Sequence, residues 1–182
     1  AHGVGMIGEG GRGTASYFGL TDRVDMIMTT FSKSLASLGG CVVANEKIIN
    51  FIRHKSRPFI FSASLPPANA AGALEALRIL KAEPERVDRL AANAAHMRAR
   101  LKEAGVPFGA SETAIVPIMT YDKIRTLKVT HALLDRGVYV NPVLPPAVAD
   151  GQCLLRTSYT ATHTIAQIDE AADIIIDVLK TM

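Results

Sequence analysis

The stretch TTFSKSLASLGG, residues 29–40, sets one lysine, Lys33, among the hydroxyls of Thr29, Thr30, Ser32 and Ser34. A lysine amine in surroundings that favour its neutral form is a nucleophile toward aldehydes and forms a Schiff base. Hydroxyls beside it could hold a phosphate carried by the same aldehyde. Gly39 and Gly40 close the stretch, where backbone can approach closely or adopt unusual torsions. On these residues alone a solvated surface lysine is the commoner outcome, and both readings stand.

The opening AHGVGMIGEGGRG satisfies G-x-G-x-x-G twice, with Gly3, Gly5 and Gly8 and again with Gly8, Gly10 and Gly13. A dinucleotide fingerprint needs a hydrophobic strand before it and a helix opening within it, so that the pyrophosphate meets free backbone N–H groups. Only Ala1 and His2 precede the first match, and Gly19 interrupts TASYFGLTD after the second. Loop glycines are therefore the better account.

These residues need elements to hold them. VDMIMTT (Val24 to Thr30) and GCVVAN (Gly40 to Asn45) read as short buried strands flanking the lysine stretch. EKIINFIRHK reads as a helix. RPFIFSASLPP reads as a third strand fenced by prolines, and Ala68 to Leu80 as a helix. After Pro84, the residues Val87, Leu90, Ala94, Met97 and Leu101 step by three and four toward a stop at Gly105.

Beyond Gly105 the pattern is β-α-β-β-α. AIVPIMT is a strand, Asp122 to Arg136 a helix ended by Gly137, and VYVN a strand. The proline-rich loop PVLPPAVADG, the strand QCLLRTS and a last helix complete it. Thr164 and Gln167 have capping-box spacing, and Ile165, Ile168, Ala172, Ile175 and Leu179 make the buried stripe. The expected class is α/β. Residues 1–83 are a remnant of a large α/β layer, 84–105 a connecting helix, and 106–182 a small α+β domain.

The 182 residues carry a net charge of +3 with both signs interspersed, and no basic block points to nucleic acid. Mean hydropathy is +0.20, and no run reaches the ~18 apolar residues of a membrane span. Cys41 and Cys153 lack metal or redox spacing and are expected to be small buried hydrophobes. His54, His96, His131 and His163 show no metal-ligand spacing, and His131 is expected to pack near Ile124, Leu127 and Leu134. The cytoplasm is the default compartment.

Four segments, AHGVGMIGEGGRG, TFSKSLASLGG, RPFIFSASLPP and GVYVNPVLPPAV…LLRTS, in this order and spacing resemble the α-oxoamine synthases, pyridoxal-phosphate enzymes of the fold-type I superfamily. The resemblance spans essentially the whole chain. It implies the C-terminal part of a homodimeric acyltransferase that condenses a small amino acid with an acyl-CoA. It further implies that Lys33 bonds pyridoxal 5'-phosphate and later moves the substrate Cα proton, and that Thr30 bonds the cofactor phosphate. His2 would contact the phenolic oxygen, and Arg156 would grip the amino-acid carboxylate. Ser62 and Ser64 would reach the phosphate of the neighbouring subunit. The family's aspartate partner for the pyridinium nitrogen would fall two residues before Ala1, so this stretch by itself is expected to be impaired. A related aminotransferase or aldolase-like enzyme, or an inactive dimerising fragment, remain the alternatives.

Overall fold

A computed structural model describes residues 1–182. The chain forms two compact units, Ala1–Val87 and Asp88–Met182, and the division falls inside one helix.

The first unit opens on a loop that closes upon itself. Val4 pairs with Arg12 as an antiparallel bridge, Gly5 N–H donates to Gly11 O at 2.7 Å, and Gly13 N–H donates to Ile7 O at 2.8 Å. A single helical turn follows, α1 (Thr14–Tyr17). Strands β1 (Met26–Thr30) and β2 (Gly40–Ala44) then pair antiparallel, from Met26 opposite Ala44 to Thr30 opposite Gly40. Helix α2 (Glu46–Lys55) packs on β2 and is capped by Asn45, whose side chain accepts from Ile48 N–H. Helices α3 (Arg57–Ile60) and α4 (Pro67–Ala82) complete the unit.

Three expectations are corrected here. RPFI is helical: Pro58 sits in the first turn of α3, where a missing N–H costs nothing, and the N–H groups of Ile60 and of the cap Phe61 bond back to Ser56 O and Arg57 O. The residues between α3 and Pro66 are irregular, so no third strand forms. The strands β1 and β2 exist but are not buried, with Met28 60% and Val43 62% exposed. A two-stranded ribbon has two faces and little to cover them. Cys41, on β2, is exposed for the same reason.

In the second unit, helix α5 (Glu85–Glu103) runs in from the division, and Gly105 follows it at φ 70°. Strands β3 (Ile115–Tyr121), β4 (Asn141–Val143) and β5 (Cys153–Ser158) form an antiparallel sheet in the order β3-β5-β4. Burial alternates along β3 and β5, so Val116, Ile118, Leu155 and Thr157 face one side. On that side they pack with Met97 and Leu101 of α5, Val129 and Leu133 of α6 (Lys123–Asp135), and Ile168, Ala172 and Ile175 of α7 (Ile165–Thr181). The opposite face carries Pro117, Met119, Leu154 and Arg156, all only partly buried.

The helix ends are set by local chemistry. The Asp122 side chain accepts from Arg125 N–H at the start of α6, and Thr164 and Gln167 form the expected capping box on α7. Buried Asn93 donates to Thr160 O and His163 O at 3.0 and 2.9 Å, fixing the turn that enters α7. Cys153 is buried as expected.

Three details differ from the sequence reading. The strand expected at VYVN begins only at Asn141. The chain first closes α6, with Gly137 N–H on Leu134 O and Val138 N–H on Leu133 O, so those donors are spent at the helix end. Ile165, in the first turn of α7, is exposed, while Val178 joins the buried stripe. His131 is exposed beside Asp135 at 3.6 Å, and Ile124, Leu127 and Leu134 are exposed with it.

Candidate active site

Lys33 lies on the loop 31–39 that joins β1 to β2. Phe31 N–H donates to Gly39 O and Ser37 N–H donates to Phe31 O, both at 2.8 Å, closing the loop. Inside it Ala36 adopts φ 49°, a left-handed conformation that costs a non-glycine residue, while its N–H donates to Lys33 O at 3.0 Å. Leu35 is buried, and the Ser37 hydroxyl donates to Asn69 O of α4 at 2.7 Å. Gly39 adopts φ 103°, a backbone conformation that favours glycine, and Leu65 packs against it. The backbone is thus pinned on both sides of Lys33, whose side chain projects outward.

The Lys33 ammonium takes part in no ion pair or hydrogen bond; the protein's ion pairs lie elsewhere. Beside it the hydroxyls of Thr30 and Ser32 stand 2.7 Å apart, and Ser32 N–H donates to Thr30 Oγ1 at 3.2 Å. An amine untied to any carboxylate, next to a hydroxyl pair and a backbone N–H, is a donor set suited to an aldehyde that also carries a phosphate.

The glycine loop is a neighbour of this turn. The Ser34 hydroxyl donates to Val4 O at 2.6 Å. Gly5, at φ 77°, lies so close that a Cβ would meet Ser34 Cβ at 2.6 Å. His2 enters this loop and is exposed. The glycines serve a backfolded loop that abuts the lysine turn. Ser62 and Ser64 are exposed on the irregular segment after α3, and Leu65, next to Ser64, is the residue packed at Gly39. The structure thus brings Lys33, Thr30 and the loop headed by His2 into one unit. It joins Ser62 and Ser64 to the lysine turn by no hydrogen bond.

Arg156 belongs to the second unit. It sits on β5 between Pro117 and Asn141, on the face free of helices, and forms no ion pair. The structural ion pair that competes with a ligand role for such an arginine is therefore not made. The loop after β4 contains a cis bond between Pro145 and Pro146, and Tyr139 is 77% exposed. Just past β5 the hydroxyl of the partly buried Tyr159 donates to Thr157 Oγ1 at 2.9 Å, and burial pushes its pKa up to about 12.

Two residues went unassigned in the sequence. Ser32 and Ser34 were visible only as further hydroxyls near Lys33; their partners, Thr30 Oγ1 and Val4 O, distinguish them. The S-K-S spacing was the available signal.

Comparison with known proteins gives the family. The family model for aminotransferase class I and II matches residues 1–175. The chain is 49% identical over 180 residues to a serine palmitoyltransferase of Sphingobacterium spiritivorum, covering 99% of this chain and 45% of that protein. It is 41% identical over 182 residues to 8-amino-7-oxononanoate synthase 1 of Bacillus subtilis, covering 100% of this chain and 46% of that protein. A solved serine palmitoyltransferase from S. paucimobilis, described with a bound PLP–myriocin aldimine, superposes with a TM-score of 0.93 at 38% identity, over 100% of this chain and 46% of that one. These enzyme names are those of α-oxoamine synthases, the group that the four segments resemble. The chain spans about half the length of the curated relatives it matches. By sequence and by fold, the chain belongs to the aminotransferase class I and II family.

Proposed function

We propose that the protein carrying this chain is a pyridoxal-phosphate-dependent acyltransferase that condenses a small amino acid with an acyl-CoA and releases CoA. The observation that carries the reading is Lys33, an amine untied to any acid, held on a pinned loop beside the Thr30–Ser32 hydroxyl pair in a chain of this family. The bound cofactor supplies an electron sink for the charge that develops at the substrate Cα.

The remaining chemistry falls to the chain's own residues. Lys33 would hold the cofactor through its amine and would take the proton from the substrate Cα. The backbone ties around it keep that amine within reach, so that proton transfer is between preassembled partners. Thr30 and Ser32 hold the phosphate as neutral donors. His2 donates to the phenolic oxygen. Arg156 fixes the substrate carboxylate with its planar fork, and its freedom from ion pairs leaves both N–H edges available. Ser62 and Ser64 serve the neighbouring subunit of a homodimer, a role supported by their exposure beside the exposed Phe59, Ile60 and Phe61. No helix is long and apolar enough to cross a membrane, and two unbridged cysteines suit a cytoplasmic home.

The test is CoA release by the longest natural chain carrying this sequence, with pyridoxal phosphate, serine, alanine or glycine, and acyl-CoA of graded length. Thiol release that requires both amino acid and cofactor is expected. Transamination with a 2-oxo acid and no thiol release would overturn the acyltransferase reading.

A further inference from the structure

We propose that Ser34 is a positioning residue of the lysine site. Its hydroxyl latches the Lys33 turn to the glycine loop headed by His2, so that amine and imidazole keep a fixed spacing. The inference rests on the reading of Lys33 as the cofactor lysine.

The latch is short and spans thirty residues of sequence, Ser34 Oγ donating to Val4 O at 2.6 Å. It is backed by contact as well as by the hydrogen bond. A Cβ on Gly5 would stand 2.6 Å from Ser34 Cβ and 2.8 Å from Ser34 Oγ, so the loop backbone lies directly against this side chain. The acceptor is itself fixed, because Val4 pairs with Arg12 and Gly5 N–H is held by Gly11 O at 2.7 Å. Gly11 in turn backs onto Leu80 of α4 and Val87. Beyond Ser34, Leu35 is buried and Ser37 is tied to Asn69, and on the other side of Lys33 Ser32 N–H donates to Thr30 Oγ1 at 3.2 Å and Phe31 N–H to Gly39 O at 2.8 Å. Lys33 is therefore a free side chain on a backbone held at both neighbours.

The chemistry explains why that matters. On a pyridoxal ring the aldehyde carbon and the phenolic oxygen occupy adjacent ring carbons. Groups that serve those two atoms must keep a constant separation while the lysine leaves the aldehyde and returns to it. Ser34 adjoins the lysine, and Val4 lies two residues from His2. The latch is a direct hydrogen bond between the two segments that carry them. Losing it frees the turn to drift, which penalises proton transfer more than substrate capture.

The test compares Ser34→Ala with the isosteric pair Ser34→Thr and Ser34→Val, in the longest natural chain carrying this sequence with pyridoxal phosphate bound. Thermal unfolding checks that each variant is folded. Borohydride reduction and peptide mapping of the parent come first. A label anywhere but Lys33 overturns the underlying reading and the latch with it, whatever the Ser34 variants do. With the label on Lys33, S34A and S34V are expected to shift the pH at which the lysine-bound cofactor changes its visible absorbance. They should lower kcat about tenfold or more, while the amino-acid KM stays within about twofold. S34T, which keeps the hydroxyl, should match the parent. If S34A fails to fold, the Thr/Val pair decides. Folded S34A or S34V with the parent's titration and kcat overturns the latch, as does S34T behaving like S34V.

Discussion

The two units bury their apolar residues very differently. Three hydrophobic residues of the first unit are buried, Leu35, Ala73 and Val87, against seventeen in the second. The exposed large hydrophobics are split the other way, seventeen in the first unit and seven in the second. The second unit is a sheet with three helices on one face and closes its own core. The first unit is a ribbon, helices and two backfolded loops, held at the lysine mainly by specific hydrogen bonds and the buried Leu35. A site built this way gets its precision from local ties and leaves apolar surface for other polypeptide to cover. The closed core and most of the candidate site residues thus lie in different halves of this chain.

Substitutions can break that division. Lys33→Ala in the longest natural chain should lower kcat by about 10³-fold or more, since it removes both the covalent anchor and the proton carrier. Unfolding of the second unit, followed by urea titration, should be unchanged. Leu155→Ala should do the reverse. The residue is fully buried, and truncation should cost about 2–5 kcal/mol in the same titration. Val43→Ala, on the exposed ribbon, should stay within about 0.5 kcal/mol in the 182-residue chain.

Arg156→Lys probes the one candidate site residue that the second unit carries. A point charge replaces a planar fork, so the amino-acid KM should rise about tenfold while the fold persists. Steady-state kinetics at saturating acyl-CoA checks it. An unchanged KM would remove Arg156 from the site.

The smallest effect is electrostatic. Asp169 on α7 accepts from His96 Nε2 at 2.8 Å and from Arg100, both on α5, and Arg100 also reaches Asp173 at 2.5 Å. The His96 hydrogen bond, then Arg100, holds the Asp169 carboxyl below its usual range. A carboxylate lowered in the folded state stabilises it fully above the unfolded value, and that gain is lost as pH falls through the folded value. The second unit should therefore lose stability on acidification below the ordinary carboxylate range, and Asp169→Asn should flatten the dependence. Urea midpoints across acid pH measure it.

What the sequence made legible follows the same division. In the second unit the periodic residues of α5, the Asp122 cap and the Thr164–Gln167 box are local signals, and each appears where its spacing places it. The start of β4 was not legible, because the donors of residues 137 and 138 are claimed by the end of α6, a choice made in three dimensions. In the first unit, short β-branched apolar runs identified β1 and β2 as strands but led to the expectation that they are buried, because nothing local says what covers them. Pro58 read as a strand fence, whereas its ring also suits the first turn of a helix. At the site, Lys33 among hydroxyls was visible in twelve consecutive residues, 29–40. The tie from Ser34 to Val4 was invisible, because no local pattern links residues thirty apart.

The most direct measurement is the site of covalent attachment. The longest natural chain carrying this sequence is incubated with pyridoxal phosphate, reduced with borohydride, digested and mapped by mass spectrometry. The account predicts one stoichiometric phosphopyridoxyl group on Lys33, absent from Lys33→Ala. A stoichiometric label on another lysine, or no label in protein that is folded, would contradict it.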